Sequence, residues 1–363
     1  MNQKDNSMWV IVPFRYYDHT MSAYHINMQN TFILLILLSV IFAGLKLFQN
    51  AGNKKNLHPT IIVGTKDNIL ARHNTDVYRG WAIIIIMLCH VAGSFSCVFF
   101  TPLGGIGVAI FLLLSGYGLN ESYKKSGLKG FWRKKLLRVA LPYVLFRLLW
   151  MMIHGTIMDW HVWWSIVNCG GTSFWYIDYL VHCYIAFWIA NGICKGKYKL
   201  IMLSLFAVYS FTLLCAEQAL SFYLGVLLSE KMQITDKLNN KRLYAVLAIL
   251  AAVGIGCLAI KQLPMIRELG DTMWYSLCEL GIKLPLGISF MIALYLTKRI
   301  VASELIVMMG AVSLELYLIH IWLVNIIVKD NAWQGLALFV VSTLLAYSYN
   351  KMCSRMFKLV ELN

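Results

Sequence analysis

The sequence predicts an all-α, polytopic transmembrane helical bundle, and three observations carry that prediction. Hydrophobic residues make up 59% of the 363-residue chain and charged residues only 13%, about half the charged share of an ordinary globular domain. Apolar runs long enough to cross a hydrocarbon core about 30 Å thick recur along nearly the whole length. The loops between them alternate between basic and nearly neutral. Two soluble domains, which the length alone would allow, are excluded.

The apolar runs give about eleven candidate spans, near 30–48, 78–100, 104–120, 139–158, 173–193, 198–214, 217–229, 243–260, 273–296, 304–328 and 332–350. The seventh is short and either crosses or is re-entrant. The first lies too far into the chain for a cleavable signal and lacks a small-residue cleavage pattern, so it reads as a retained helix. Basic residues fill every second connection: Lys54, Lys55, Lys66 and Arg72; the run from Lys124 to Arg138; Lys195 to Lys199; Lys231 to Arg242; Lys298 and Arg299; and the tail from Lys351. The intervening connections are close to neutral. The alternation places the basic loops in the cytoplasm, the N-terminus outside and the C-terminus inside a multi-pass protein of the cell membrane. Trp160, Trp163 and Trp164 mark an outer boundary and Trp132 an inner one.

A net charge of +15 would suggest nucleic acid in a soluble protein. Here the cations sit in short loops, with no arginine-rich arm and no zinc-finger spacing, so nucleic acid is not an expected partner. The nine cysteines are scattered, with no C-x-x-C and no Cys/His ligand spacing. Neither a disulfide framework nor a metal site is expected.

Ionisable side chains inside a bilayer are costly and mark candidate functional positions. Arg79 and His90 are eleven residues apart, three helical turns plus about 20°, so they share a face at a separation of roughly 16 Å. That puts Arg79 at the cytoplasmic mouth and His90 near mid-membrane, a gap an extended pantetheine arm would span. The run from Gly104 to Gly118, with Gly105, Gly107, Ser115 and Gly116, reads by itself as a close-packing helix face. The basic segment Lys129–Arg138 leads into Pro142 and a helix carrying Arg147. Topology explains a basic loop but not Arg147, and such cations suit the phosphates of a nucleotide-like donor. Ser313, Tyr317 and His320 form one helical stripe, with Glu315 pointing elsewhere; Trp175, Asp178 and His182 form another. Both stripes read first as hydrogen-bond networks between helices. Glu279 and Lys283 are spaced to pair with each other.

These features fall in a fixed order: Arg-x10-His, Gly-x-x-Gly-Val-x-Ile-Phe and Ser-Gly-Tyr, a basic run ending in Arg138 before Pro-Tyr, Phe-Trp-Tyr-Ile, and a late Ser-x-Glu-x-Tyr-Leu-x-His. The ordered set resembles the acyltransferase 3 family of integral membrane O-acyltransferases over about residues 75 to 350. The resemblance implies a ten-helix core, here with one extra N-terminal helix. It divides the chain into an extracytoplasmic segment, helix and linker (1–72), an acyltransferase 3-like membrane domain (73–352) and a cytoplasmic tail (353–363). It implies an acyl-CoA donor, usually acetyl-CoA, taken from the cytoplasm, and no permanently bound cofactor. The implied acceptor is a surface or exported glycan or its lipid-linked precursor.

By motif, Arg79 and His90 match the family's essential pair, and Ser115 and Gly116 its Ser-Gly turn. Arg138 matches the second arginine of its Arg-x-x-Arg, whose first is Lys135 here, a residue that keeps the charge and loses the bidentate fork. Lys135, Arg138, Arg147, Ser115 and Gly116 are then donor-binding candidates. Asp178, Tyr317 and His320 are candidates for orienting groups or acceptor contacts. His90 is expected as general base or transient acyl carrier, and Arg79 as the holder of donor or oxyanion charge. The rival reading is a transporter or exporter of a glycan or polar solute that uses the same groups as a binding site. It predicts an internal inverted repeat, which the sequence lacks.

Overall fold

A computed structural model describes residues 30–43 (except 38 and 42), 68–155 (except 96), 160, 163, 164, 173–231 (except 195 and 197) and 239–362 (except 271). The expected extracytoplasmic segment 1–29, most of the linker after the first helix, and most of the loop 159–172 lie outside the described residues. The described residues contain helices and no strand. In chain order the main helices are α1 (Asn30–Ile41), α2 (Arg72–Gly93), α3 (Thr101–Ser126), α4 (Phe131–Ile153), α5 (Trp175–Ile193), α6 (Tyr198–Leu214), α7 (Ala219–Glu230), α8 (Asn240–Lys261), α9 (Met273–Leu296), α10 (Glu304–Ala311), α11 (Ser313–Ile327) and α12 (Gln334–Leu362).

Every expected span thus corresponds to helix, but the count differs from eleven by length and composition. Six helices, α2, α3, α4, α8, α9 and α12, are long and apolar enough to cross a membrane, and α10 with α11 makes up to 7. The described part of α1, α6 and α7 are short, and α5 is diluted by Asp178, His182 and Asn191. The expected single span over 304–328 is broken, because α10 and α11 meet at 82°. The expected start of the second span at residue 78 also moves: α2 begins at Arg72. Its entry is held by the Asn68 side chain, which accepts from the Leu70 amide at 2.8 Å, and by Tyr78, whose hydroxyl donates to the Ile69 carbonyl at 2.8 Å.

Helix α2 is the centre of the bundle, with most of its residues buried, whereas α8 shows Ile249, Val253, Ile255 and Ile260 to the surroundings. Such an apolar exterior fits lipid. Between lipid-bathed helices the hydrophobic effect contributes little, so close backbone approach has to hold them together. Two glycine locks do this. A Cβ at Gly80 would lie 2.2 Å from the Ile306 carbonyl oxygen, and one at Gly310 would lie 2.0 Å from that of Asp76. These contacts join α2 to α10. A Cβ at Gly116 would lie 2.2 Å from the Phe222 oxygen, and one at Gly225 would lie 2.0 Å from that of Leu113, joining α3 to α7.

Helix α4 contains a wider π-type turn over Leu136–Ala140. Its cause is Pro142, which has no N–H for the carbonyl of Arg138 and whose ring crowds that oxygen. The backbone shifts register, and the Leu141 amide donates to Leu136. Arg138 therefore stands on a distorted, exposed turn.

Polar clusters tie the periphery together. Glu279 and Lys283 pair at 2.6 Å, as their spacing indicates, and the pair extends to Lys261 on one side and Glu217 on the other. Each buried charge faces an opposite one, the condition under which burial is tolerated. Elsewhere Lys199 and Asn120 both donate to Glu230, at 2.7 and 2.6 Å, fastening α6 and α3 to α7.

The α2–α10 lock can be tested against a glycine that touches nothing. Gly310→Ala should cost about 1–3 kcal/mol through forced separation of the helices. It should be read as a lower melting temperature and less monodisperse protein in detergent. Gly118 has open space around it, so Gly118→Ala should be neutral or stabilising by up to about 1 kcal/mol. Equal behaviour of the two variants would show that the backbone contact does not hold the fold.

Candidate active site

The two ends of α2 carry the two residues that the sequence pairs. His90 lies in its last turn and Arg79 three turns earlier, on one uninterrupted helix. The structure supplies a partner for each.

At the His90 end, α11 delivers His320, which has no exposed surface. The two imidazole centroids lie 5.1 Å apart with their planes tilted by 58°. His320 Nδ1 is 2.8 Å from the carbonyl of Leu316, one turn back on its own helix. The Tyr317 ring stands edge-on to His320 at 5.7 Å and to Tyr176 of α5 at 5.1 Å. The Tyr317 hydroxyl donates to the Ser173 carbonyl at 3.4 Å. The expected Ser313–Tyr317–His320 stripe therefore meets α2 and α5. Glu315 leaves on another face, as its spacing indicates, and accepts from Asn350 of α12 at 2.8 Å.

Asp178 is buried and accepts from the Tyr143 hydroxyl of α4 at 2.5 Å. One turn beyond Tyr143, the buried Arg147 guanidinium lies 5.1 Å above the Phe174 ring. His182, which shares a helical face with Asp178, turns its Nδ1 to the Asp178 backbone carbonyl at 2.9 Å.

At the other end, Arg79 pairs with Asp76 at 2.9 Å and keeps about a third of its side chain exposed. It lies within electrostatic reach of Tyr176, Tyr184 and Lys135. Lys135 places its ammonium 4.6 Å above the Tyr184 ring, and Ser115 lies near the Tyr184 hydroxyl. Arg138 is exposed beside Lys135, and the two charges interact.

Four helices, α2, α4, α5 and α11, thus contribute to one line of side chains, from Arg138 and Lys135 past Tyr184 and Arg79 to Tyr176, Tyr317, His320 and His90. Asp178, Tyr143 and Arg147 form its flank. Two expected donor contacts stand off the line: Gly116, whose α-carbon is turned into the α3–α7 lock, and Arg147, which lies on the flank over Phe174. A cavity of about 330 Å³ beside Tyr123, Lys199 and Glu230 is bounded by none of these residues.

Four participants escape a reading of the sequence. Asp76 carries a local signal, an acidic residue three positions before Arg79 on a helix. Tyr176 stands in the Phe-Trp-Tyr-Ile motif without a role of its own, and Tyr184, further along α5, looks like a buried core aromatic. Tyr143 follows Pro142, yet its bond to Asp178 crosses between helices and has no sequence signature.

No curated protein and no solved structure matches the chain. A family model described as an acyltransferase domain, that of the acyltransferase 3 family, matches residues 72–351. The matched stretch begins at the first residue of α2 and ends within α12, so it contains every residue of the line from Arg138 to His90. The chain is a member of the acyltransferase 3 family, a multi-pass membrane acyltransferase.

Proposed function

We propose that this acyltransferase moves an acetyl group from cytoplasmic acetyl-CoA to a hydroxyl of a cell-surface or exported glycan, or of its lipid-linked precursor. One observation carries the reading: a line of polar and aromatic side chains leads from an exposed basic turn to the His90–His320 pair. In the proposed topology the basic loops lie inside, with the N-terminus out and the C-terminus in, about eleven spans in the cytoplasmic membrane, of which the seventh crosses or is re-entrant. Donor and acceptor then approach the line from opposite faces.

Arg138 and Lys135 take the phosphates of coenzyme A, since charge-assisted contacts to phosphate are the strong ones. The pantetheine arm extends past Ser115 and Tyr184 along α2. Arg79, held in direction by Asp76, stabilises the charge that develops on the thioester oxygen. His90 removes the acceptor proton, for which an imidazole is suited near neutral pH. The acceptor oxygen bonds to the carbonyl carbon, the carbon–sulfur bond breaks, and the coenzyme A thiolate takes up the proton. In a two-step variant His90 carries the acyl group itself before the acceptor attacks. Asp178 with Tyr143 and Tyr317 orients the acceptor. The reading leaves metal ions and permanently bound cofactors without a role.

His90→Ala should abolish acetyl incorporation into envelope glycan while the protein stays in the membrane at its normal level. Normal acetylation by that variant would end the mechanism. Arg138→Ala and Lys135→Ala should each weaken acetyl-CoA binding by about tenfold or more, the size of one charge-assisted contact. Calorimetry on purified protein reads this directly, and unchanged affinity in both variants would remove the basic turn from the donor site.

A further inference from the structure

His320 is fixed in one protonation pattern by its own helix. Its Nδ1 lies 2.8 Å from the Leu316 carbonyl oxygen. A carbonyl oxygen only accepts, so Nδ1 carries the proton, and in the neutral ring Nε2 is a bare lone pair. That Nε2 is buried and has no hydrogen-bond partner among the described residues. Buried polar side-chain atoms normally have partners, and exceptions cluster where chemistry supplies one.

The nearest titratable ring is His90, with its centroid 5.1 Å away. Two imidazoles joined by one N–H···N bond of about 2.9 Å have centroids a little over 5 Å apart. The rings therefore already stand at bonding separation, and a rotation about the side-chain bonds of His90 aligns them. Few groups with a charge face the pair. From α11 comes Tyr317, and from α5 come Tyr176 and, beyond Tyr317, Asp178, which is engaged by Tyr143. Two imidazolium rings this close would repel.

We propose that His320 is the positioning partner of His90: its fixed Nε2 lone pair receives an N–H of His90 once His90 has taken the acceptor proton. The pairing deepens the acyl-transfer reading and rests on it. In the step itself the hydroxyl proton passes to one nitrogen of His90, and the other nitrogen donates to His320 Nε2. The hydroxyl oxygen bonds to the thioester carbon, and the carbon–sulfur bond breaks. The thiolate then recovers the proton from His90, so thioester and alcohol become ester and thiol with no net proton change. His320 stays neutral throughout and fills the place that a carboxylate holds in hydrolase triads.

The two amide residues separate this role from packing. The Asn amide overlays Nδ1, so His320→Asn keeps the bond to Leu316 and loses the Nε2 acceptor. The Gln amide reaches the Nε2 position and restores an acceptor oxygen there. Membrane vesicles from expressing cells are given ¹⁴C-acetyl-CoA, and base-labile label in the glycan fraction is counted per amount of protein. H320N should lower kcat about 100-fold with KM for acetyl-CoA unchanged, and H320Q should regain about tenfold of that loss. If His320 only packs and anchors α11, H320N will match or exceed H320Q, and the pairing is overturned. Absence of label transfer by wild-type vesicles would instead overturn acyl transfer itself. Should H320N fail to accumulate, ¹⁵N-histidine spectra of wild type and H320Q decide. The signal that H320Q removes must be a neutral ring protonated at Nδ1, and a ring protonated at Nε2 would refute the proposal.

Discussion

Everything in the site depends on the backbone contact between α2 and α10. Gly80 and Gly310 bring the two chains so close that a methyl group at either position would collide with a carbonyl oxygen. A membrane interior offers no hydrophobic drive for helices to associate, so such packing at small residues supplies the attraction. Trp81 reinforces it by donating its indole N–H to the Val301 carbonyl at 3.1 Å. The contact fixes the Arg79 end of α2 against a short helix, and the chain then turns by 82° into α11. The turn allows one stretch of sequence to brace the start of α2 and return to its far end with His320. A straight helix over 304–328 would carry His320 away from α2 or lose the lock.

Helix α3 works as a spacer with two close-packing faces. Gly107 meets the Ala82 carbonyl and Ile86 of α2, while Gly116 meets the backbone of α7. Between them Ser115 is left on the face that looks toward Tyr184 of α5. The Ser-Gly pair thus divides its labour, the serine toward the candidate donor path and the glycine toward the lock. A glycine in a ligand-associated motif need not touch the ligand. Its value here is to let α7 approach, which keeps α3 and hence Ser115 at a fixed depth.

Much of this is legible in the sequence, for identifiable reasons. Helical periodicity determines which residues share a face, so spacing alone aligns Arg79 with His90 and sets out the Ser313–Tyr317–His320 stripe. Charge in the loops and apolar length announce the helical membrane fold, although length alone supports fewer spans than the charge alternation does. What periodicity lacks is the partner across a helix pair. The meeting of His90 with His320, 230 positions later, and of Tyr143 with Asp178 rests on how helices cross. The break at Val312 is only weakly marked, because Gly310 and Ser313 stand beside it while Ala311 and Val312 continue the apolar run. Its cause is tertiary: α10 is held to α2 through Gly310, and α11 follows a different neighbour, α12.

The replacement of a family arginine by Lys135 fits the way this residue is held. A guanidinium gains its advantage from a planar fork engaging two oxygens at once. Lys135 instead stands over the face of Tyr184, where a compact ammonium is favoured by the ring quadrupole and the long stem is packed. Arg138, three residues on, is exposed on the turn that Pro142 distorts, so a fork remains available where water and a mobile phosphate can reach it. The two cations then differ in task. In the proposed donor site Lys135 would contribute a fixed point charge at the entrance to the line, beside Arg79, and Arg138 an adaptable grip outside it.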